Sequence, residues 1–204
     1  VKVRIKICGI THPDDALAAV DGGADLVGLN FVPGSPRCLD PRSAERIAAR
    51  VEGQVERVAV FQDAPWEEIE RTLRRVEVER VQLHGEEAPE DVEQLDLPVI
   101  KALRGADRET AERFPGTILL LDHPTEGGGR GKAWPWCQAA DLIAEGLDVI
   151  LAGGLNAENV GGAIEDLGDL LPWGVDVATG VEGENRRKDP KRIEAFIRAV
   201  REAS

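Results

Sequence analysis

The chain has 204 residues, 42% of them hydrophobic and 31% charged, with 38 acidic side chains against 25 basic ones and a formal net charge of −13. That length suits one domain, residues 1–204, able to bury its apolar surface without disulfide staples. The acidic balance excludes a general nucleic-acid binder, which needs a basic footprint, but it leaves room for a small anionic ligand in a local cationic pocket. Cys8, Cys38 and Cys137 are too few and too scattered for a disulfide framework or a zinc cluster. No run reaches the roughly 18 apolar residues that suggest a membrane span. The first residues, Val-Lys-Val-Arg-Ile-Lys, alternate like a strand and lack the apolar core of a signal peptide. Together with free thiols, this leads us to expect a cytoplasmic protein that engages no membrane.

Short apolar runs alternate with charged segments of helical period. The first run, Val3–Cys8, precedes a helix from Pro13 to about Val20, with Gly22-Gly23 at its end. Asp25–Phe31 reads as a strand. A loop with Pro33, Gly34 and Pro36 follows, then a helix over Pro41–Val51. Val58–Phe61 leads to a helix over Pro65–Val76, Val81–His84 to Pro89–Leu95, and Val99–Leu103 to Arg108–Phe114. Ile118–Asp122 runs into a glycine-rich loop and a helix over Pro135–Glu145. Val149–Ala152 precedes a helix over Ala157–Leu167, and Val175–Val177 precedes the last, Pro190–Glu202. Strict alternation implies parallel strands, each helix being the crossover to the next. Eight such units are the number that closes into a (β/α)8 barrel, the TIM barrel. An open doubly wound sheet would carry its glycine fingerprint after the first strand; here the glycine-rich turns follow the sixth and seventh.

In such barrels chemistry sits at the C-terminal ends of the strands. Cys8, Asn30, His84, Asp122, Gly153 with Gly154, and Asp176 occupy those ends. Alternation puts Val3, Ile5 and Ile7 on one face and Lys6 and Cys8 on the other, toward the barrel interior. Cys8 then stands at the rim, where a thiolate can act as base or nucleophile and where a packed structural thiol would also fit. Gln82 and His84 share one face of the fourth strand, which suits a lining role. Asp122 closes an apolar run without a helix immediately after it, so a cap role fits poorly and a desolvated general acid fits better. Arg37, in Ser35-Pro36-Arg37, suits an anion clamp at the mouth, although a solvated turn arginine would read the same way. The stretch Gly127-Gly128-Gly129-Arg130-Gly131-Lys132 is no Walker A loop, because Glu126 and Ala133 stand where that loop needs Gly and Ser or Thr; it reads as a lid. Gly153 and Gly154 after the seventh strand, and Asp176, Thr179 and Gly180 at the eighth, stand where barrels of this kind hold phosphate on backbone N–H groups.

These motifs add up. Lys6-Ile7-Cys8-Gly9-Ile10-Thr11, Ser35-Pro36-Arg37, Val81-Gln82-Leu83-His84-Gly85-Glu86, Leu121-Asp122, Gly153-Gly154-Leu155-Asn156 and Gly174-Val175-Asp176-Val177 with Gly180-Val181-Glu182 resemble the phosphoribosylanthranilate isomerases, in order and over nearly the whole chain. The resemblance implies a step of tryptophan biosynthesis, the Amadori rearrangement of N-(5-phosphoribosyl)anthranilate, run by acid–base catalysis without metal or cofactor. It implies Asp122 as the acid that protonates the furanose oxygen and Cys8 as the base that takes the C2 proton. It further implies Arg37 on the anthranilate carboxylate and the last two strand loops on the phosphate of this phosphosugar. Asn30 and Cys38 depart from the apolar or aromatic residues frequent in the family, and Thr179 from its frequent serine, keeping the hydroxyl. A sister isomerase of histidine synthesis shares the barrel but works with two aspartates. A non-catalytic phosphosugar sensor would be separated only by turnover. Monomer and homodimer are both compatible with the sequence.

Overall fold

The computed structural model describes residues 2–123 and 135–204. The stretch 127–132 read above as a lid lies outside the described residues. Eight strands occur in chain order: β1 (Arg4–Ile7), β2 (Leu26–Asn30), β3 (Glu56–Phe61), β4 (Arg80–Leu83), β5 (Val99–Arg104), β6 (Ile118–Asp122), β7 (Val149–Leu151) and β8 (Gly174–Val177). Each pairs in parallel with the next, and β8 pairs with β1 to close the barrel. Between and after them lie α1 (Pro13–Gly22), α2 (Pro41–Arg50), α3 (Trp66–Leu73), α4 (Pro89–Glu93), α5 (Arg108–Glu112), α6 (Ala140–Ala144), α7 (Val160–Glu165) and α8 (Pro190–Glu202).

The two-residue period of the strands sorts the core into two layers. Ile5, Ile7, Val81, Leu83, Leu119 and Leu121 face outward and join the layer built with the helices. Leu26, Val58, Ile100, Leu120 and Ile150 face inward with Cys8. Lys6 belongs to the inner set by the same alternation and is 1% exposed. The last helix shows how local signals and packing agree. The Asp189 carboxylate accepts from the N–H groups of Lys191 and Arg192, Pro190 opens the first turn, and Ile193, Phe196, Ile197 and Val200 recur at helical spacing and are buried. Each such side chain contributes roughly 1.5–3 kcal/mol on burial. Helix α8 lies close on α1: a Cβ added to Gly22 would stand 2.9 Å from Ile193 Cγ2. The turn after α1 is made by Gly23 at φ +91°.

Helices α3, α4 and α5 end two or three residues short of the expected Val76, Leu95 and Phe114, and three further segments differ from the sequence reading. The helix expected over Pro135–Glu145 begins as a 3-10 turn, Trp136–Ala139, before the short α6; the indole of Trp136 donates to the Ala152 carbonyl at 2.8 Å and ties this turn to the end of β7. The helix expected from Ala157 starts at Val160. Asn156 Oδ1 accepts from the N–H groups of Glu158 and Asn159 while Asn159 Oδ1 accepts from Asn156 N–H, and this reciprocal pair holds a turn where a helical one would otherwise begin. After β8 the chain forms two further 3-10 turns, Thr179–Val181 and Glu184–Arg186. This loop is tied to α1 by Arg187, whose guanidinium bonds the buried Asp15 carboxylate at 2.9 Å.

Candidate active site

The barrel's C-terminal mouth holds a cavity of about 380 Å³ lined by Cys8, Arg37, Gln82, His84, Asp122, Gly153, Gly154, Asp176, Thr179 and Gly180. Every residue singled out from the sequence as catalytic or substrate-binding therefore faces one space. Asn30 and Gln62 line it as well.

Cys8 lies one residue past β1, where its N–H donates to Val177 O at 2.8 Å and Gly9, at φ +71°, turns the chain over β2. Strand β2 carries no side chain beside the thiol, and a Cβ on Gly28 would stand 2.7 Å from Cys8 Sγ. Beneath it, Lys6 Nζ donates to Asp176 Oδ1 at 2.6 Å, the two residues being paired across β1 and β8. Burial pushes the Cys8 thiol above its ordinary range, the Lys6 ammonium pulls it back, Asp176 pushes it up again, and Lys188 opposes; the net displacement is upward. Burial also works against the charge of Lys6, but Asp176 and the Cys8 sulfur outweigh it and keep the lysine protonated well above its usual range.

Arg37 reaches across the mouth over Gly9, leaving no room there for a side chain. Its Nε and Nη2 donate to the two oxygens of Glu182 at 2.5 and 2.9 Å, and Nη2 also donates to Thr179 Oγ1 at 3.1 Å. This is the bidentate geometry that fixes a guanidinium plane. Glu182 is shared with Lys188, whose Nζ donates to Oε1 at 3.1 Å and to Ala178 O at 2.9 Å. Burial raises the Glu182 carboxyl, but Arg37 and Lys188 more than offset it, and its pKa lies below the ordinary value. Burial lowers that of Lys188 in spite of Glu182.

Opposite Cys8, Asp122 closes β6 and is buried. Its Oδ1 accepts from His123 N–H at 2.7 Å, and its Oδ2 lies 3.2 Å from His84 Nε2. Gln82 Nε2 lies 2.9 Å from His84 Nδ1. Between these walls, Gly153 and Gly154 take φ of +78° and +80°, a conformation that suits glycine. Gly180 is wedged against Leu155 O and Asn156, where any Cβ would collide. Lys6, Glu182, Lys188 and Gly28 were not picked out as site residues from the sequence. Lys6 carried a signal, since it shares the inner face of β1 with Cys8; Glu182 and Lys188 come from an aperiodic loop and are brought together by an isolated antiparallel bridge and their own ion pair.

The family model described as "N-(5'phosphoribosyl)anthranilate (PRA) isomerase" matches residues 5–199. The N-(5'-phosphoribosyl)anthranilate isomerase of Neisseria gonorrhoeae (strain ATCC 700825 / FA 1090) is 43% identical over 203 residues, which cover 96% of this chain and 95% of that one. The crystal structure of phosphoribosyl anthranilate isomerase from Thermus thermophilus superposes with a TM-score of 0.87 at 37% identity, covering 99% of this chain and 100% of that one. A phosphoribosyl anthranilate isomerase in complex with reduced 1-(o-carboxyphenylamino)-1-deoxyribulose 5-phosphate does so with a TM-score of 0.85 at 36% identity, covering 98% and 99%. With a barrel and a site of this form beneath those similarities, the chain belongs to the N-(5'-phosphoribosyl)anthranilate isomerase family.

Proposed function

We propose that Cys8 and Asp122 are the base and the acid with which this chain carries out its family's reaction. That reaction is the Amadori rearrangement of N-(5'-phosphoribosyl)anthranilate to 1-(2-carboxyphenylamino)-1-deoxyribulose 5-phosphate, a step of tryptophan biosynthesis. The observation that carries the assignment is placement: β1 and β6 stand three places apart around the closed barrel, and Cys8 and Asp122 line the same cavity. A sugar between them is reached from two sides.

Asp122 donates a proton to the furanose ring oxygen as the bond from C1 to that oxygen breaks, and the anthranilate nitrogen supplies the electron pair that makes the Schiff base. The Cys8 thiolate then removes the C2 proton, and the released pair forms the C1–C2 double bond of the enolamine. Loss of the C2 hydroxyl proton and gain of a proton at C1 give the ketone, with no net change in protons or electrons. Arg37 offers Nη1, which bonds nothing among the described residues, to the anthranilate carboxylate, since Nε and Nη2 are taken by Glu182 and Thr179. The phosphate lies against the backbone of Gly153, Gly154 and Gly180 with the Thr179 hydroxyl, where no Cβ obstructs its approach. Gln82 and His84 form the wall beside the sugar, and Asp176 its floor.

The test is the loss of anthranilate-type fluorescence on adding freshly made substrate to the purified protein. Cys8→Ser and Asp122→Asn should each lower kcat by about 10²–10⁴-fold, because a hydroxyl is a far poorer base than a thiolate near neutral pH and an amide has no proton to give. Cys38→Ser and Cys137→Ser, both at exposed thiols, should turn over normally. A Cys8→Ser protein with wild-type kcat would remove the assignment.

A further inference from the structure

Among the described residues one buried side-chain polar atom lacks a hydrogen-bond partner, Gln82 Oε1. The residue is 1% exposed and its other amide atom faces His84 Nδ1. Gln82, His84 and Asp122 therefore form a single line of hydrogen bonds from the barrel interior to the carboxyl assigned above as the acid, with His123 N–H closing it on Asp122 Oδ1.

Counting protons along that line is restrictive. Nδ1, Nε2 and Oδ2 together hold one proton or two. With one, the Gln82 amide NH2 donates to a bare Nδ1, the ring proton sits on Nε2 and is donated to Oδ2, and Asp122 is a carboxylate accepting at both oxygens. With two, the pair is either imidazolium against carboxylate or a neutral ring accepting from a carboxylic acid. In both forms Nδ1 carries a hydrogen, and Gln82 must present its oxygen. Gaining the second proton thus requires the amide to turn over. In the observed orientation the amide oxygen is without a partner, so no second bond locks it there.

We infer that Asp122 delivers its proton as half of a two-proton pair with the positioning residue His84, and that the orientation of the Gln82 amide holds this pair loaded or empty. The inference rests on the reading of Asp122 as the acid. The loaded pair passes one proton through Asp122 to the ring oxygen and retains one; the proton released from the C2 hydroxyl as the ketone forms restores the second.

Together with Gln62, His84 and Asp122 line both the main cavity and a second one of about 290 Å³. Across the first cavity the pair faces Cys8, Arg37 and Asp176. Across the second it faces Glu86, Glu87, Lys101, Arg104, Arg113 and His123. Arg37 is bonded to Glu182, Asp176 to Lys6, and Lys101 to Glu87 and to Gly85 O. Gln82 is the residue bonded to the Nδ1 edge of the ring, and it is the place to perturb.

The experiment compares Gln82→Glu with Gln82→Leu. A carboxylate can only accept from Nδ1–H and so holds the pair loaded; leucine accepts nothing and leaves that hydrogen unpaired. The alkaline limb of the kcat profile should move up by about one pH unit or more in Gln82→Glu and down in Gln82→Leu. The chain has three histidines, so the His84 ring can be followed by NMR without substrate, and its titration should move in the same two directions. If Gln82→Glu fails to fold, Gln82→Met beside Gln82→Leu supplies the downward arm, and His84→Asn should lower kcat by a larger factor than it raises KM. Coincident His84 titrations in wild type and the Gln82 variants overturn the inference. Gln82 variants that displace the His84 titration in these two directions, in a protein that turns over no substrate, leave the pair standing and refute the functional reading instead.

Discussion

Gly28 offers the sharpest test of how Cys8 is held. Nothing about its backbone angle calls for glycine, and no left-handed φ is found there. What calls for glycine is the neighbour: a Cβ at this position would meet Cys8 Sγ at 2.7 Å, Cys8 Cα at 3.1 Å and Cys8 Cβ at 3.3 Å. Ordinary non-bonded contact begins near 3.5 Å, so Gly28→Ala must drive the sulfur away by roughly 1 Å. Two costs follow. Overpacking of a well-filled interior destabilises by about 1–3 kcal/mol, which for a chain of this size lowers Tm by about 2–12 °C. A 1 Å misplacement of a reacting group lowers kcat by about 10²-fold. The assay is kcat by fluorescence together with thermal melting, run on Gly28→Ala, Cys8→Ala and the double variant. Removing the sulfur relieves the tightest contact but not those to the Cys8 Cα and Cβ, so the double variant should recover more than half of the stability lost by Gly28→Ala, a coupling of about 0.5–3 kcal/mol. Gly28→Ala with unaltered kcat and Tm, or a double variant whose loss is the plain sum of the single ones, would refute the account.

Lys6→Met removes the cation that pulls the Cys8 thiol down, so the acid limb of the kcat profile should move to higher pH; Asp176→Asn removes the opposing carboxylate and should move it to lower pH, and thiolate absorbance read against pH checks both directions. Arg37→Ala should lose a charge-assisted contact worth about 1.5–3 kcal/mol, roughly 10–150-fold in kcat/KM, with a smaller loss for a substrate analogue lacking the anthranilate carboxylate. Its stability should also fall and be partly restored by Glu182→Gln in the same chain, because Arg37→Ala leaves Glu182 to Lys188 alone.

What could be read from the sequence was whatever obeyed a period. Alternation in Val3–Cys8 separates Ile5 and Ile7 from Lys6 and Cys8, and the structure puts the first pair among the helices and the second inside the barrel. The same period-two argument puts Gln82 with His84 on the cavity side of β4. The helices expected from Pro41 and Pro190 start there, each behind an aspartate whose carboxylate accepts from the first turn. What escaped had no period to betray it. The start of α7 moved because two asparagines satisfy each other's neighbouring N–H groups, a preference that competes with helix formation only at close range. Glu182 and Lys188 are six apart in a loop, and nothing in their spacing says that both turn inward to share a charge. Gly28 sits in the middle of an apolar strand, where a glycine weakens the strand unless something needs its space, and that something is a residue 20 positions earlier.

On the proposed reading, the charges around Cys8 explain how a protein with a formal net charge of −13 builds a site for a ligand that carries both a phosphate and a carboxylate. Lys6, Arg37 and Lys188 contribute three positive charges, and Asp176 and Glu182 two negative ones, leaving a surplus of one while Cys8 is a neutral thiol. Each carboxylate is hydrogen-bonded to at least one of the cations, so none of the five carries the full cost of an isolated buried charge. The surplus has two possible uses, attraction of an anion at the mouth and stabilisation of the thiolate at the end of β1, and a low-dielectric interior strengthens both. They also compete, because ionising Cys8 brings the cluster to neutrality and bringing in an anion first makes the thiol harder to ionise. The backbone N–H groups at Gly153, Gly154 and Gly180 resolve that competition on the proposed reading. They hold the phosphate with dipoles instead of formal charge, and so leave the one unspent positive charge to the sulfur.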